Sequence, residues 1–529
     1  MTTTTTTTPL PLPEPPTAQM PAHPLSAILN DIPHMTLHGG GDISITNIAF
    51  DSRLATTGSL FVALRGGYAD GHRFIAQAVE RGATAVLVEE TVDLPPGVQT
   101  VVIVPDTRAA LARVAANWYA HPADALTVIG VTGTNGKTTT TAMIGAVLDA
   151  NQMPNAALGT VEMKLGAARW SNPNHQTTPE SLHVQRFLRQ AVIAGCACAV
   201  LEATSHALAM HRLDAMPVDV AVLTNLSHDH LEFHRTFAHY RDAKRALFTR
   251  LDEYPERDRP RFAVVNADDE HAAVFLDATR RATPLTYSLH DTATVYATDI
   301  TEEPEATTFT LHLPTGHASV RLSTLGMYNV RNALAAAAVG YSQGLDAAGI
   351  ATGLGQWRDV VGHLEHVRGG QPFRVIVDFA HTPAAFAALL GLLRHTTQGR
   401  LIAVFGSAGE RDVAKRAMQG EIAAEYADVA YLTNEDPRFE DADAIVREIA
   451  AGCMKRGWRE GHEYFAITDR REAILTAIAL ARAGDTVALI GKGHENSVII
   501  GANAVPWNEA AVAREALHAQ GYVKKDGGA

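Results

Sequence analysis

The segment TGTNGKTTT (132–140) has the residue types and spacing to hold phosphate. The β-branched run LTVIGV (126–131) leads into it, and the helix-forming run AMIGAVLDA (142–150) follows. A glycine-rich turn between strand and helix lets backbone N–H groups approach phosphate oxygens, and the helix N-terminus adds partial positive charge. Lys137 can neutralise the terminal phosphates of a nucleotide, and Thr138 can offer a hydroxyl to Mg²⁺. A chance glycine turn would not combine this strand context with an intact Gly136-Lys137-Thr138. The spacing is a variant: Val131 stands where the general phosphate loop has Gly, and Gly130 and Gly133 are extra.

Further polar groups recur after apolar, strand-like runs: Glu202, Asn225, Asn266, Asp378 and His381, Asn434 to Asp436, and His494 with Glu495. Any one of them could be ordinary loop polarity. Their accumulation at carboxyl ends of strands matches where open parallel sheets bind ligands. His228, His230 and His234 are of a type that suits zinc. No cysteine lies near them, and the loop calls for Mg²⁺, a hard cation that prefers oxygen. Lys244, on its own, reads as a solvated helix lysine.

Elements that could position these groups follow from periodicity. Strands are expected at 45–50, 59–64, 83–90 and 98–104, then at 126–131, 198–203, 220–225 and 261–269, and finally at 373–380, 401–406, 429–434 and 486–491. Period-two alternation in VYATDI and FTLHLP predicts an antiparallel edge hairpin around 294–313. The Ala-rich stretch 328–344 predicts a helix. The fold class is therefore α/β, with three α/β domains in series: 25–122, a central P-loop ATPase domain with a parallel sheet at 123–362, and a Rossmann-like domain at 363–529. The Thr/Pro-rich residues 1–24 predict a disordered tail.

Length, 529 residues, allows about three domains, and 46% apolar with 19% charged residues is ordinary globular composition. A net charge of −13 argues against a nucleic-acid partner, which needs a basic footprint. Three cysteines cannot staple a chain this long, so a reducing, cytoplasmic compartment is expected. No apolar stretch approaches the roughly 18 residues of a membrane span, and the N-terminus lacks the regions of a signal peptide. A monomer is expected.

The loop GTNGKTT (133–139) resembles that of the Mur ligases, ATP-dependent amide-forming enzymes of peptidoglycan precursor synthesis. The resemblance spans essentially the whole chain after residue 24. It is closest to the MurE branch, which adds the third residue to UDP-N-acetylmuramoyl-L-alanyl-D-glutamate. Folylpolyglutamate synthetases share a related loop but not the first-domain DSR and DGH segments. A P-loop switch or motor lacks support, since no N-K-x-D motif is present. A non-catalytic Mur-like binding protein would not need Lys137, Glu202, His230 and Lys244 together.

The resemblance implies ATP contacts from Gly133, Thr134, Asn135, Gly136, Lys137, Thr138 and Thr139. It adds Asn329 and Asn332 near the purine, and Asp378 and His381 in VDFAHTP (377–383) facing ATP. FDSR (50–53) and LFVALRGGYADGH (60–72) resemble the uridine-nucleotide site, through Phe50, Ser52 and the Gly67-Tyr68-Ala69 turn. Thr177 and Thr178 match a loop on the muramoyl dipeptide. Thr204 stands at a family serine, Arg212 matches a substrate-anion contact, and Met210 stands where some relatives have Gln. Glu202 in LEATSHAL (201–208) and His230 in LTNLSHDHLEFH (223–234) are implied Mg²⁺ ligands, with Asn225 and Asp229 nearby. YRDAKRALF (240–248) matches the segment carrying a carbamylated lysine, here Lys244, which turns an ammonium into an anion able to bind Mg²⁺. In VVGHLEHV (360–367), His363 replaces a family arginine.

For the incoming amino acid, the resemblance assigns its carboxylate to Arg416 and an amino group to Gly491 and Glu495. Glu435-Asp436-Pro437-Arg438 stands where relatives that add meso-diaminopimelate read D-N-P-R. Arg438 is a planar bidentate donor that suits a distal carboxylate. Asp436 in place of Asn favours a bare ammonium, as on L-lysine or L-ornithine. The balance leans slightly to meso-diaminopimelate. The implied reaction is transfer of the ATP γ-phosphate to the D-glutamate carboxylate, then attack by the amine on the acyl phosphate. Both steps need water excluded, which predicts closure of the C-terminal domain.

Overall fold

The computed structural model of the chain describes residues 20–522 apart from 41–42, 67–68, 92–95, 173–175, 256–257, 304–305 and 358–359. Gly67 and Tyr68 of the expected uridine turn lie outside the described residues, as do residues 1–19 of the expected tail. The chain divides into two compact units. One comprises 1–299, 309–320 and 330–356; the other comprises 300–308, 321–329 and 357–529.

The first unit opens with a five-stranded sheet in the order Thr36–Gly39, Thr100–Ile103, Ala83–Val88, Ser59–Val62, Asn47–Ala49. Only the edge strand Thr36–Gly39 is antiparallel to its neighbour. Ala85 to Val88 are all fully buried, the near-continuous apolar run of a parallel strand covered on both faces. Asp106 caps the covering helix Thr107–Trp118 by accepting from the N–H groups of Arg108 and Ala109. His23–Pro24 pairs with Ser44–Ile45, so ordered structure reaches into the segment that composition assigns to the tail.

An eleven-stranded sheet follows. Its parallel block runs Asn155–Leu158, Cys198–Glu202, Thr127–Thr132, Val220–Leu223, Phe262–Asn266, Thr283–Ser288. The chain builds first on one side of Thr127–Thr132 and then on the other. The reversal in strand order thus falls at Thr132, where such sheets place their ligands. Glu162–Leu165 and Ala168–Ser171 extend one edge as an antiparallel meander. Val295–Glu303, Ala306–Leu313 and Gly316–Leu322 form the other edge.

The second unit carries a six-stranded sheet in the order Glu365–His366, Arg374–Asp378, Thr486–Ile490, Leu401–Phe405, Val429–Leu432, Tyr464–Ala466, parallel except for its first strand. Helices Pro383–Thr396, Ala414–Tyr426 and Ala442–Lys455 cover one face, packing Phe386, Leu390, Ala423 and Ile449. Helices Arg470–Ala479 and Glu509–Ala519 cover the other, through Ile474, Ile478, Ala513 and Leu517. A hairpin, Ser497–Ile500 with Asn503–Pro506, follows the strand Thr486–Ile490. Cys196, Cys198 and Cys453 are free and buried. Among the described residues no helix is long and apolar enough to cross a membrane.

Candidate active site

The loop after Thr132 is shaped by two glycines. Gly133 has φ 148°, and a Cβ there would lie 1.8 Å from Thr224 Oγ1. Gly136 has φ 83°, and a Cβ there would lie 2.4 Å from Asn332 Oδ1. A side chain at either position would force the loop apart. Asn225 holds the loop from the neighbouring strand end. Its carbonyl accepts from Thr134 N at 2.8 Å, its Oδ1 accepts from Asn135 N at 2.9 Å, and its Nδ2 donates to Asn135 O at 2.9 Å. Helix Lys137–Ala150 starts directly at the loop. Lys137 folds back, its Nζ donating to Gly133 O at 2.9 Å and Thr134 O at 2.8 Å. Burial lowers its pKa against the attraction of Glu202 and Asp229.

Glu202 ends the strand beside the loop and is fully buried. Its Oε2 accepts from Thr138 Oγ1 at 3.0 Å and Thr160 Oγ1 at 2.9 Å, and its Oε1 from Thr160 N at 2.8 Å. Burial still pushes its carboxyl pKa up, against these donors and Lys137. A desolvated carboxylate beside a threonine hydroxyl is a hard-oxygen donor set that fits Mg²⁺.

Lys244, on helix Phe237–Glu253, is buried rather than solvated. Its Nζ donates to Gly133 O at 2.7 Å and lies 4.6 Å from the Tyr240 ring centroid. Burial, reinforced by the Lys137 charge, holds its pKa well below the usual lysine range. Tyr240 OH lies 2.9 Å from Thr134 Oγ1, tying that helix to the loop. The histidines take another arrangement than their spacing suggests. His206 is the common neighbour, its ring centroid 4.8 Å from that of His230 and 5.5 Å from that of His234. Burial lowers the pKa of His206 and of His234 to about 4 each. Among the described residues no three His, Cys, Asp or Glu side chains group so as to hold a metal.

Of the residues expected at the UDP-dipeptide, the threonines are linked through hydroxyls. Thr160 Oγ1 lies 3.0 Å from Thr177 Oγ1, and Thr178 Oγ1 donates to the Glu202 carbonyl at 2.6 Å. Thr204 caps helix Ser205–Ala209 through Ala207 N. Arg212 donates to Thr178 O at 3.0 Å and pairs with Glu180 at 3.1 Å, while Arg108 pairs with the same Glu180 oxygen at 2.7 Å. Ser52 Oγ donates to Gln77 Oε1 at 2.6 Å, Phe50 packs edge-on against His183, and Ala69 O accepts from Gly66 N at 2.8 Å.

Asn332 meets the loop itself, its Oδ1 accepting from Thr140 Oγ1 at 3.3 Å. Asn329 instead anchors the start of its helix, donating to Leu325 O at 2.8 Å and Thr324 Oγ1 at 3.2 Å. In the second unit, Asp378 accepts from Leu364 N and Ala380 N, both at 2.7 Å, and burial raises its pKa to about 6. His381 lies against Phe379, which also packs on His494. His363, at the family arginine, stacks on His494 at 5.5 Å.

The residues expected to meet the incoming amino acid lie at or beyond the carboxyl ends of strands in the second unit's sheet. A Cβ at Gly491, whose φ is 107°, would lie 2.5 Å from Glu435 Oε2. That oxygen and Arg438 Nε are buried without a hydrogen-bond partner. Asp436 is neutralised internally: its Oδ1 accepts from Lys492 Nζ at 2.8 Å and Ile499 N at 2.9 Å. Lys492 also pairs with Glu495, whose pKa burial raises. Arg416 is buried with its guanidinium on Glu440 and Glu448, whereas Arg411 is exposed. Thr160, Glu180, His206 and Lys492 carry no role in the sequence-based expectations. His206 had a signal, its place inside LEATSHAL, and Lys492 another, its place between Gly491 and Glu495.

Three family models match the chain in series: the Mur ligase family catalytic domain at 44–125, the Mur ligase middle domain at 131–340, and the Mur ligase glutamate ligase domain at 362–493. A UDP-N-acetylmuramyl-tripeptide synthetase of Roseiflexus sp. (strain RS-1) is 46% identical, over 90% of this chain and 95% of its own. A UDP-N-acetylmuramoyl-L-alanyl-D-glutamate--2,6-diaminopimelate ligase of Geobacillus kaustophilus (strain HTA426) is 40% identical, over 94% of this chain and 100% of its own. A solved structure of a ligase of that second name superposes with a TM-score of 0.62 at 31% identity, covering 91% of this chain and 96% of the other. With the phosphate loop and its buried carboxylate both borne on matched segments, the chain belongs to the Mur ligase family.

Proposed function

We propose that this chain is an ATP-dependent acid–amino-acid ligase of the MurE type. It adds a diamino acid as third residue to UDP-N-acetylmuramoyl-L-alanyl-D-glutamate. The observation that carries the acceptor assignment is a pair of buried polar atoms without hydrogen-bond partners three residues apart on one loop, Glu435 Oε2 and Arg438 Nε. A carboxylate and a guanidinium left open together suit a ligand bearing both an ammonium and a carboxylate. Because Lys492 already occupies Asp436, Arg438 remains available to a distal carboxylate, which favours meso-diaminopimelate.

In this reading the loop Gly133–Thr139 cradles the ATP phosphates, and Lys137 leaves its carbonyls to meet the γ-phosphate. The D-glutamate γ-carboxylate attacks that phosphorus, ADP leaves, and an acyl phosphate forms. The acceptor amine then attacks the acyl carbon, expels phosphate and loses a proton. Mg²⁺ would be held by Glu202 and Thr138, with His230 and a carbamylated Lys244, and would supply charge neutralisation during phosphoryl transfer. Carbamylation needs a neutral amine, and the desolvated Lys244 provides one: its Nζ adds to the carbon of CO₂ and releases a proton. Arg212 and the Thr177–Thr178 loop face the dipeptide, and Phe50, Ser52 and Ala69 face the uridine nucleotide. The domain limits that go with this reading are 25–122, 123–362 and 363–529. It places the chain in the cytoplasm as a monomer.

Phosphate release with UDP-N-acetylmuramoyl-L-alanyl-D-glutamate tests it, comparing meso-diaminopimelate, L-lysine and L-ornithine. Release that depends on both dipeptide and amino acid, greatest with meso-diaminopimelate, is expected. Preference for lysine or ornithine would transfer the acceptor assignment to the charge of Asp436. Release with no amino-acid dependence would overturn the ligase reading.

A further inference from the structure

Arg470 is the first residue of helix Arg470–Ala479 and is 2% exposed. Each of its three guanidinium nitrogens has a hydrogen-bond partner. Nε donates to Glu509 Oε1 and Oε2 at 3.1 and 3.0 Å, and Nη2 to Oε1 at 2.5 Å. The remaining donors do not face side chains. Nη1 donates to the carbonyl of Asn434 at 3.1 Å, and Nη2 to the carbonyl of Ile490 at 2.9 Å. Asn434 immediately precedes Glu435 and Asp436; Ile490 immediately precedes Gly491 and Lys492.

Ile490 ends its strand and Asn434 lies two residues beyond the end of Val429–Leu432, and these strands are not neighbours. Leu401–Phe405 lies between Thr486–Ile490 and Val429–Leu432, so no ladder hydrogen bond sets the distance between the two strand ends. Two buried links do: the Lys492–Asp436 pair and the rigid Arg470 fork. Glu509 in turn is fixed by Trp507 Nε1 at 2.6 Å and by its place as the first residue of helix Glu509–Ala519. The close approach of Gly491 to Glu435, the wall of the acceptor pocket, depends on that spacing.

We propose that Arg470 is a positioning residue for the diamino-acid acceptor, setting, together with the Lys492–Asp436 pair, the separation between the Glu435–Arg438 wall and the Gly491–Glu495 wall. This rests on the acceptor pocket assigned under Proposed function. A lysine at 470 keeps the charge but loses the planar fork, so it cannot hold both carbonyls and Glu509 at once. Loss of that geometry raises the acceptor KM while leaving the KM for ATP and for the UDP-dipeptide in place. A displacement on the scale of 1 Å in such a site costs about tenfold or more in acceptor kcat/KM.

The test uses the full chain as R470K and as the double variant R470Q/E509Q, which removes both buried charges and protects against a folding failure of the first. R400K, which breaks the Arg400–Asp485 pair at the opposite ends of the strands, calibrates plain loss of a structural contact. Expected are an acceptor KM raised about tenfold in the Arg470 variants, unchanged ATP and dipeptide KM values, and no acceptor effect in R400K. Hydrogen exchange gives a readout independent of turnover: residues 434–438 and 491–501 should exchange faster together, with 132–140 unchanged. Equal shifts in all three KM values, or unchanged exchange in both walls, would overturn the role of Arg470. Wild-type chain that releases no phosphate with any diamino acid would overturn the ligase reading instead, and the exchange result would still decide whether Arg470 spaces the walls.

Discussion

Lys244 Nζ donates to the carbonyl oxygen of Gly133, 2.7 Å away and 111 residues earlier in the chain. A lysine amine therefore lies against the first residue of the phosphate loop, in a place where burial disfavours its charge. An amine kept neutral there can take up CO₂, and the resulting carbamate would supply a negative charge able to hold Mg²⁺ beside the phosphate loop. Lys244→Ala should lower turnover about 10²–10³-fold, with partial rescue by added small carboxylates. Lys244→Arg should not restore activity, since arginine stays charged. An alanine variant fully active without added carboxylate would rule out the metal-bridging role.

Glu202→Gln separates catalysis from stability. Its carboxylate is desolvated in the fold, so neutralising it removes a cost to folding while removing a hard anionic ligand. Turnover should fall about 10²-fold or more and the Mg²⁺ concentration needed for half-maximal rate should rise. The melting temperature should not drop. A variant with wild-type Mg²⁺ dependence would remove Glu202 from the metal set.

The acceptor pocket predicts two opposite substitutions. Arg438→Ala should reduce kcat/KM for meso-diaminopimelate about 10²-fold and for L-lysine much less, because only the former presents a distal carboxylate. Asp436→Asn takes the internal partner from Lys492 and removes one negative charge. It should shift the diaminopimelate-to-lysine ratio upward about tenfold. Competition assays with both amino acids present read the ratio directly; a ratio unmoved by either change would detach this loop from selectivity.

Asp378 gives a pH signature. Its folded-state pKa of about 6, against an ordinary value of 3.8, means the folded chain binds more protons between these pH values than the unfolded chain does. Its contribution to stability therefore falls as pH rises from about 4 to about 6 and is level above that. His363 and His494, held by burial at about 4 and about 3, act in the opposite sense over the same window. The difference in melting temperature between Asp378→Asn and wild type isolates the carboxyl. It should grow in favour of the variant from pH 4.5 to 7, and a flat difference would show that Asp378 ionises freely.

The phosphate loop was legible because its chemistry is local: strand, glycines, lysine and helix are contiguous. The buried parallel strands were legible for the same reason. Asn155–Leu158 was not, since NAAL carries no β-branched residue and its burial comes from neighbours distant in sequence. Glu202 and Lys244 could be picked out by resemblance, but nothing local distinguishes Lys244 from a surface lysine. Partners that complete the sites lie far along the chain, Thr160 42 residues from Glu202 and Lys492 56 from Asp436. Asp436 could therefore be read as an open anion from sequence, whereas the fold spends its charge on Lys492.

The three cysteines bear on how the molecule can be watched. All are buried, and burial lifts the thiols of Cys198 and Cys453 to about 11 and about 12, so few thiolates are available to a reagent at neutral pH. Phe439, next to Arg438, is 73% exposed. A fluorophore attached through Phe439→Cys would report arrival of the amino acid against a dark background, in the native chain, with no other thiol to silence first.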